Sequence, residues 1–316
     1  MESESINELA LFAGGGGGLL ATKYLLGWRT VCYVEKAKYA VEVLKARIRD
    51  EYLDDAPIWD DANTFNGQPW AGSVDIVSAG FPCQPFSLAG KRLGDKDERN
   101  GWDATIRIIR QVRPTFAWLE NVASLTSHPY FGTILGDLAE SGYGVIWNCL
   151  SAKAVGANHE RNRLWILAYP ESRSSDVRQL ARKAKIYAQG NGKTQSIPNP
   201  IERKSRRLSQ PKDERKAELG FSSQDVSHTN SERQPKFNAS AFTNGSIFIG
   251  RSSDERTNDI KPTTRWWRSE PRLGRVAHGI PNRVDRHEIL GNAQVPQVVR
   301  VAFLSLLDRL IERIKE

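Results

Sequence analysis

The chain has 316 residues, 39 % of them hydrophobic and 26 % charged, which suits a globular protein of one large or two modest domains and excludes a collagen, a coiled coil and a wholly disordered tail. The 45 Lys and Arg against 37 Asp and Glu give a formal net charge of +8, and the excess has an address: residues 171–270 hold 20 basic and 12 acidic residues, leaving 25 of each elsewhere. A polyanionic partner is expected for that stretch.

In chain order, residues 8–13 read as a strand, 19–26 as a helix, 30–34 as a strand, 38–49 as a helix and 75–79 as a strand. A helix at 104–112, a strand at 115–119, a helix at 131–140 and strands at 145–150 and 164–168 follow. Strands alternating with helices imply an α/β fold with a mostly parallel sheet covered on both faces, whose ligands bind at the carboxyl ends of the strands. From residue 171 the composition changes: Val, Ile, Leu, Met and Phe number 15 in the next hundred residues, below the roughly 20 % at which a packed core becomes doubtful. That part is expected to be loosely cored or partly disordered until it binds. Periodicity returns at the end, where Val295, Val298, Val299, Ala302, Phe303, Leu306, Leu307, Leu310, Ile311 and Ile314 form one helical face. Such a face must pack on the N-terminal core. The expected layout is therefore an α/β domain over 1–170, a small basic domain over 171–285, and a returning C-terminal helix over 286–316.

The three cysteines, Cys32, Cys83 and Cys149, form no C-x-x-C pair. Neither a disulfide framework nor a cysteine metal site is indicated, and a reducing, cytoplasmic setting is expected. Apolar runs are broken by charge well short of the roughly 18 residues a membrane span needs, so no membrane association is expected.

Five glycines, Gly14 to Gly18, follow the first strand after Leu11-Phe12-Ala13. Backbone can approach a ligand closely there. Glu35 stands 19 residues after Gly16 at the end of the second strand, near the offset at which an acidic side chain accepts from a ribose diol. The pair suggests an adenosine-containing cofactor; a flexible turn beside an unrelated surface glutamate is the plainer alternative. Leu19 stands where a dinucleotide fingerprint has its third glycine, which disfavours a nicotinamide cofactor.

Gly80-Phe81-Pro82-Cys83-Gln84-Pro85-Phe86-Ser87 holds a cysteine between prolines at the end of another strand. A lone cysteine is more often an inert small hydrophobe, and that reading is kept for Cys32 and Cys149, which lie in apolar strand patterns. Glu120-Asn121-Val122 puts an acid and an amide at a further strand end, and Arg161 and Arg163 precede the strand at 164–168 on one face.

With these motifs in this order, and with Gly291-Asn292-Ala293-Gln294-Val295-Pro296 after them, the sequence resembles the cytosine carbon-5 DNA methyltransferase family. The resemblance covers 11–170 and roughly 272–305. It implies a Rossmann-like sheet flanked by helices, with the small basic domain, inserted before the C-terminal helix, as the target-recognition region. It also implies transfer of a methyl group from S-adenosylmethionine to carbon 5 of cytosine in a flipped-out base of double-stranded DNA, through a covalent Cys83 adduct. Glu120 and Arg163 match the groups that steady the base, with Arg161 and Asn121 in support. Phe12, Gly14, Gly16, Gly18, Glu35, Asp61, Pro82, Trp102, Asn292 and Ala293 match the cofactor site, with Asp60 as the alternative to Asp61, and no metal is implied. Loop 86–100 is placed to close over the base. A monomer is expected, and the family leaves room for a cognate restriction endonuclease. Two departures stand out: Lys36 follows Glu35 where many members carry an aromatic, and His159 replaces a glutamine. A transfer-RNA cytosine methyltransferase and a DNA-binding relative without catalysis are the competing readings; the intact Cys83, Glu120 and Arg163 weigh against the second.

Overall fold

The computed structural model describes residues 5–82, 101–189 and 282–314. Cys83, loop 86–100 and most of the basic segment lie outside them. The described residues belong to one compact unit that includes both the N-terminal stretch and the last helices.

Seven strands form one sheet: β1 (Ile6–Leu11), β2 (Trp28–Val34), β3 (Ile58–Trp59), β4 (Ile76–Ala79), β5 (Phe116–Val122), β6 (Tyr143–Leu150) and β7 (Arg163–Pro170). Their order is β3-β2-β1-β4-β5-β7-β6. The first five pair parallel, and β7 runs antiparallel to both β5 and β6. The helices are α1 (Gly17–Tyr24), α2 (Lys38–Arg49), α3 (Trp102–Val112), α4 (Tyr130–Glu140), α5 (Ser174–Gln189), α6 (Arg283–Asn292) and α7 (Pro296–Arg313). The expected mostly parallel sheet with helices on both faces is what the chain forms.

Burial follows from the pattern of each element. β1 and β4 are buried almost throughout because central parallel strands are covered on both faces. Leu9, Leu11, Val77, Ala79, Ala117 and Leu119 share a core with Ile106, Ile109 and Val112 of α3 and Ile134 and Leu138 of α4. On another part of the sheet, Ala10 and Tyr33 pack with Leu19 of α1 and Leu44 of α2. α3 stops where Arg113 turns left-handed at φ 54 and Pro114 removes the next donor.

The last helix begins at Pro296, a residue suited to the first helical position. Its Phe303 ring meets Trp28 and Trp118 edge-on at 4.9 and 5.2 Å, and Trp118 stacks on Trp165 at 5.2 Å. The apolar face of α7 therefore packs on the sheet.

Residues 174–189 depart from the expectation of a loosely cored stretch beginning at 171. They form the 16-residue helix α5, with Val177, Leu180, Ala181, Ala184 and Ala188 buried. Lys185 pairs with Asp308 of α7 at 2.7 Å, and Arg300 donates to the Ala188 carbonyl at 3.1 Å. The stripe is mostly alanine, which a count of large apolar residues overlooks. Likewise the segment before α7 is a separate helix, α6, with residues 293–295 as the break between them.

Candidate active site

The chain leaves β1 toward β2 and β3 on one side, and β4 lies on the other side of β1. This reversal opens a crevice beyond the carboxyl ends of β1 and β4. Phe12, Gly14 and Gly16 line its near wall with φ of 52, 55 and 84. Positive φ is why glycine suits positions 14 and 16, while Phe12 holds such a conformation at a strain a side chain normally avoids. α1 starts at Gly17 with no side-chain cap, so its first N–H groups have no partner within the helix.

Glu35, just past β2, accepts from the Gly14 N–H with Oε2 and from the Ala37 N–H with Oε1, each at 2.7 Å. Two backbone donors thus orient the carboxylate across the glycine turn, and each oxygen keeps a lone pair for a further donor. Lys36 extends its ammonium to Asp61 Oδ2 at 2.8 Å, and Asp61 Oδ1 accepts the Asn63 N–H at 2.9 Å. The hydrogen bonds from Lys36 and Asn63 hold the Asp61 carboxyl below the usual range. A cavity of about 410 Å³ bordered by Cys32, Trp59, Phe65 and Trp70 opens beside β3; none of the expected site residues lines it.

The far wall is the segment Gly80-Phe81-Pro82, which leads to Cys83. Phe81 is buried with its ring 5.3 Å from that of Trp102. Asn121 donates from Nδ2 to the Phe81 carbonyl at 3.2 Å and accepts the Val122 N–H at 2.8 Å. Gly101 donates to the Pro82 carbonyl at 3.4 Å, and a Cβ at Gly101 would meet Pro82 and Phe12. Trp102, expected at the cofactor, is instead fully buried and donates to Asp137 Oδ2 at 2.7 Å. As the first residue of α3 it turns its ring into the core and leaves Gly101 as the residue beside Phe12 and Pro82.

Between the walls lies Glu120. The antiparallel register that sets Val122 opposite Arg163 and Glu120 opposite Trp165 brings the Arg163 Nε to 3.0 Å from Glu120 Oε1. Burial pushes the Glu120 carboxyl up, against Arg163, the Gln294 amide and Arg161, which favour its charged form. A carboxyl with that balance can hold a proton and give it to a ligand. Arg161 does not reach Glu120 by a hydrogen bond. It donates instead to the Gly291 carbonyl at 2.8 Å and to the Ala293 carbonyl. Ala293 in turn lies against the start of α1, where a Cβ on Gly17 would be 3.0 Å from its Cβ, and Asn292 ends α6 exposed.

The sequence reading missed Gln294. Its Nε2 is 3.5 Å from Glu120 Oε2, and its Oε1 fills the space a side chain on Gly18 would need. The signal was its place inside the Gly291-to-Pro296 motif, beside two residues that were selected.

Glycine turn, oriented carboxylate and buried carboxyl–guanidinium pair lie around one crevice of an α/β protein. A family model described as C-5 cytosine-specific DNA methylase matches residues 6–298, and the chain belongs to that family. Among curated relatives, the Type II methyltransferase M.CviJI of Paramecium bursaria Chlorella virus IL3A is 33 % identical over 167 residues, 52 % of this chain and 43 % of that one. M1.ScrFI of Lactococcus lactis subsp. cremoris is 32 % identical over 200 residues, covering 62 % and 46 %. M.BanI of Aneurinibacillus aneurinilyticus is 41 % identical over 166 residues, covering 50 % and 37 %. The matches span about half the length of these relatives or less. Among solved structures, the Dnmt2 methyltransferase of S. pombe aligns with a TM-score of 0.43 at 20 % identity over 52 % of this chain and 51 % of that one.

Proposed function

We propose that the protein transfers a methyl group from S-adenosylmethionine to carbon 5 of cytosine in double-stranded DNA, with Cys83 as the nucleophile. The observation that carries this reading is the buried Glu120 carboxyl between Arg163 and Gln294, next to the Asn121 amide that holds the approach to Cys83.

Carbon 5 of cytosine is too weak a nucleophile to take a methyl group unaided. Addition of the Cys83 thiolate at carbon 6 makes the ring an enamine whose carbon 5 can attack an electrophilic methyl. That addition sends negative charge toward ring nitrogen 3 and oxygen 2. A proton donor and a guanidinium there lower the barrier. Glu120, biased by burial toward its neutral form, is the donor to nitrogen 3, and Arg163 on the same carboxyl faces oxygen 2. Loss of the carbon 5 proton then expels Cys83 and restores the aromatic ring. A base stacked in a duplex cannot reach this crevice, so the enzyme must turn it out, with loop 86–100 closing over it.

S-adenosylmethionine supplies the electrophilic methyl. The residues assigned to hold it are Phe12, the turn Gly14 to Gly18, Pro82 and the Asn292-Ala293 segment. Glu35 receives the ribose hydroxyls on its remaining lone pairs. The adenine amino group falls to Asp61 or Asp60, and Asp61 already shares its charge with Lys36. No metal is needed for these steps.

The basic excess of residues 171–270 supplies phosphate contacts in a target-recognition region. α5 packs with α7, and the DNA-reading part is taken to follow residue 189. A cognate endonuclease fits the Type II names of the relatives, and a cytoplasmic monomer is the working state. Among the described residues no helix is long and apolar enough to cross a membrane.

Bisulfite sequencing of plasmid from cells expressing the protein tests the reading. Protected cytosines in one sequence context are expected, and none with Cys83→Ser. Wild type without protected cytosines would defeat DNA methylation, and protection confined to transfer RNA would establish the RNA reading.

A further inference from the structure

We propose that Gln294 is a positioning residue for Glu120: its side-chain amide, wedged between the start of α1 and Gly80, holds Oε2 of the carboxyl and sets how readily Glu120 keeps its proton. The inference rests on the role given to Glu120 above and extends it to a residue outside the strand ends.

The two oxygens of Glu120 have different partners. Oε1 faces the Arg163 Nε at 3.0 Å, and Oε2 faces the Gln294 Nε2 at 3.5 Å. The amide has little room to retreat. A Cβ on Gly18 would collide with Gln294 Oε1, one on Gly17 would lie 3.0 Å from the Gln294 carbonyl oxygen, and one on Gly80 would lie 3.2 Å from both Gln294 Nε2 and Glu120 Oε2. Glycine at 18 and 80 leaves the space the amide fills, and glycine at 17 clears the Gln294 backbone. Its backbone is tied as well, since Arg161 binds the carbonyl of the preceding Ala293.

The chemistry separates Gln294 from the other groups around the carboxyl. Arg163 approaches from β7 and Arg161 from the residues before it, and both are donors only. A primary amide has a donor and an acceptor end. It can donate to the ionised carboxylate, or turn about its last torsion and accept from the neutral acid. Gln294 is therefore the neighbour able to serve Glu120 in both protonation states. The same side chain touches the glycine turn, so it links the cofactor-side wall to the acid.

Titration of Glu120 tests this on the intact protein without requiring turnover. The carboxyl carbons of 13C-glutamate-labelled protein are followed by NMR against pH, and Glu120→Gln assigns the signal. Gln294→Leu removes the donor to the charged form, so the Glu120 midpoint is expected to rise by about half to one pH unit. Gln294→Glu sets a second carboxyl beside the first and raises it further. Should Gln294→Leu not fold, Gly18→Ala displaces the amide with Gln294 retained, and the midpoint is expected to move again. An unmoved midpoint in whichever of these variants folds overturns the proposal. In turnover, the alkaline limb of kcat of Gln294→Leu should follow the titration while its KM for S-adenosylmethionine changes less than about twofold. A shifted titration with an unshifted limb supports Gln294 as holding Glu120 but removes Glu120 as the acid. A wild type without methyl transfer removes the functional reading, and the titration still decides the role of Gln294.

Discussion

The side-chain amide of Asn121 donates to the Phe81 carbonyl at 3.2 Å, two residues before Cys83. This bond fastens the end of β5 to the segment Gly80-Phe81-Pro82. The preceding residue, Glu120, is ion-paired to Arg163, so adjacent residues of one strand hold the buried acid pair and the Phe81 carbonyl.

Replacing Asn121 with alanine leaves the Phe81 carbonyl buried and unpaired, at a cost of about 1–3 kcal/mol. If that strain is relieved by movement of the 81–83 segment, kcat should fall roughly tenfold to a hundredfold. Binding of S-adenosylmethionine, measured by calorimetry, should change far less. Equal loss in both would assign Asn121 to the fold alone.

Arg161 reaches from the foot of β7 to carbonyls 130 and 132 residues downstream. Arg161→Ala should loosen the break between α6 and α7, seen as faster amide exchange at residues 293–295, and should destabilise by about 1–2 kcal/mol. Arg161→Lys should restore little, because an ammonium cannot reproduce the planar fork. Exchange at wild-type rates in Arg161→Ala would contradict the clamp.

Glu8 offers a test by pH. It is fully buried in β1 and accepts from Ser78 at 2.6 Å, Thr22 at 2.7 Å and Thr30 at 3.2 Å. Burial pushes its carboxyl up, more than the three hydroxyls pull it down. The folded state therefore holds this proton more tightly than the unfolded chain. Its stabilising contribution is complete below the ordinary carboxylate value near ~4.3 and declines as pH rises from there through the raised folded value. Glu8→Gln, neutral throughout, should melt higher than wild type at pH 7 to 8 and similarly near pH 4. A Glu8→Gln protein that melts lower at every pH would contradict this account.

The strand ends were legible because the motifs carry their own chemistry: glycines where a backbone turns left-handed, prolines around Cys83, and charges where apolar runs stop. The alternation of strands and helices made the mostly parallel sheet legible. What stayed hidden has physical reasons. β3 is only two residues long, Ile58–Trp59, too short to display a period. α5 hides its buried stripe in alanines. The inward turn of Trp102 depends on which side of α3 faces the core, and motif position does not state that. Gln294 meets Glu120 across 174 positions, and its place in the motif around Gly291 to Pro296 does not state that contact.

In the proposed mechanism Cys83 is bonded to cytosine while the methyl group is delivered. Long mixed-sequence duplex DNA amplified with 5-fluorodeoxycytidine triphosphate tests it most directly, because fluorine at carbon 5 cannot leave as the proton does and the adduct should persist. Incubated with S-adenosylmethionine, the wild-type protein should remain bound through denaturing electrophoresis, with a methylated fluorocytosine mass on the peptide containing Cys83, and Cys83→Ser should show no adduct. Wild-type protein that methylates ordinary cytosine yet leaves this peptide unmodified would contradict the account.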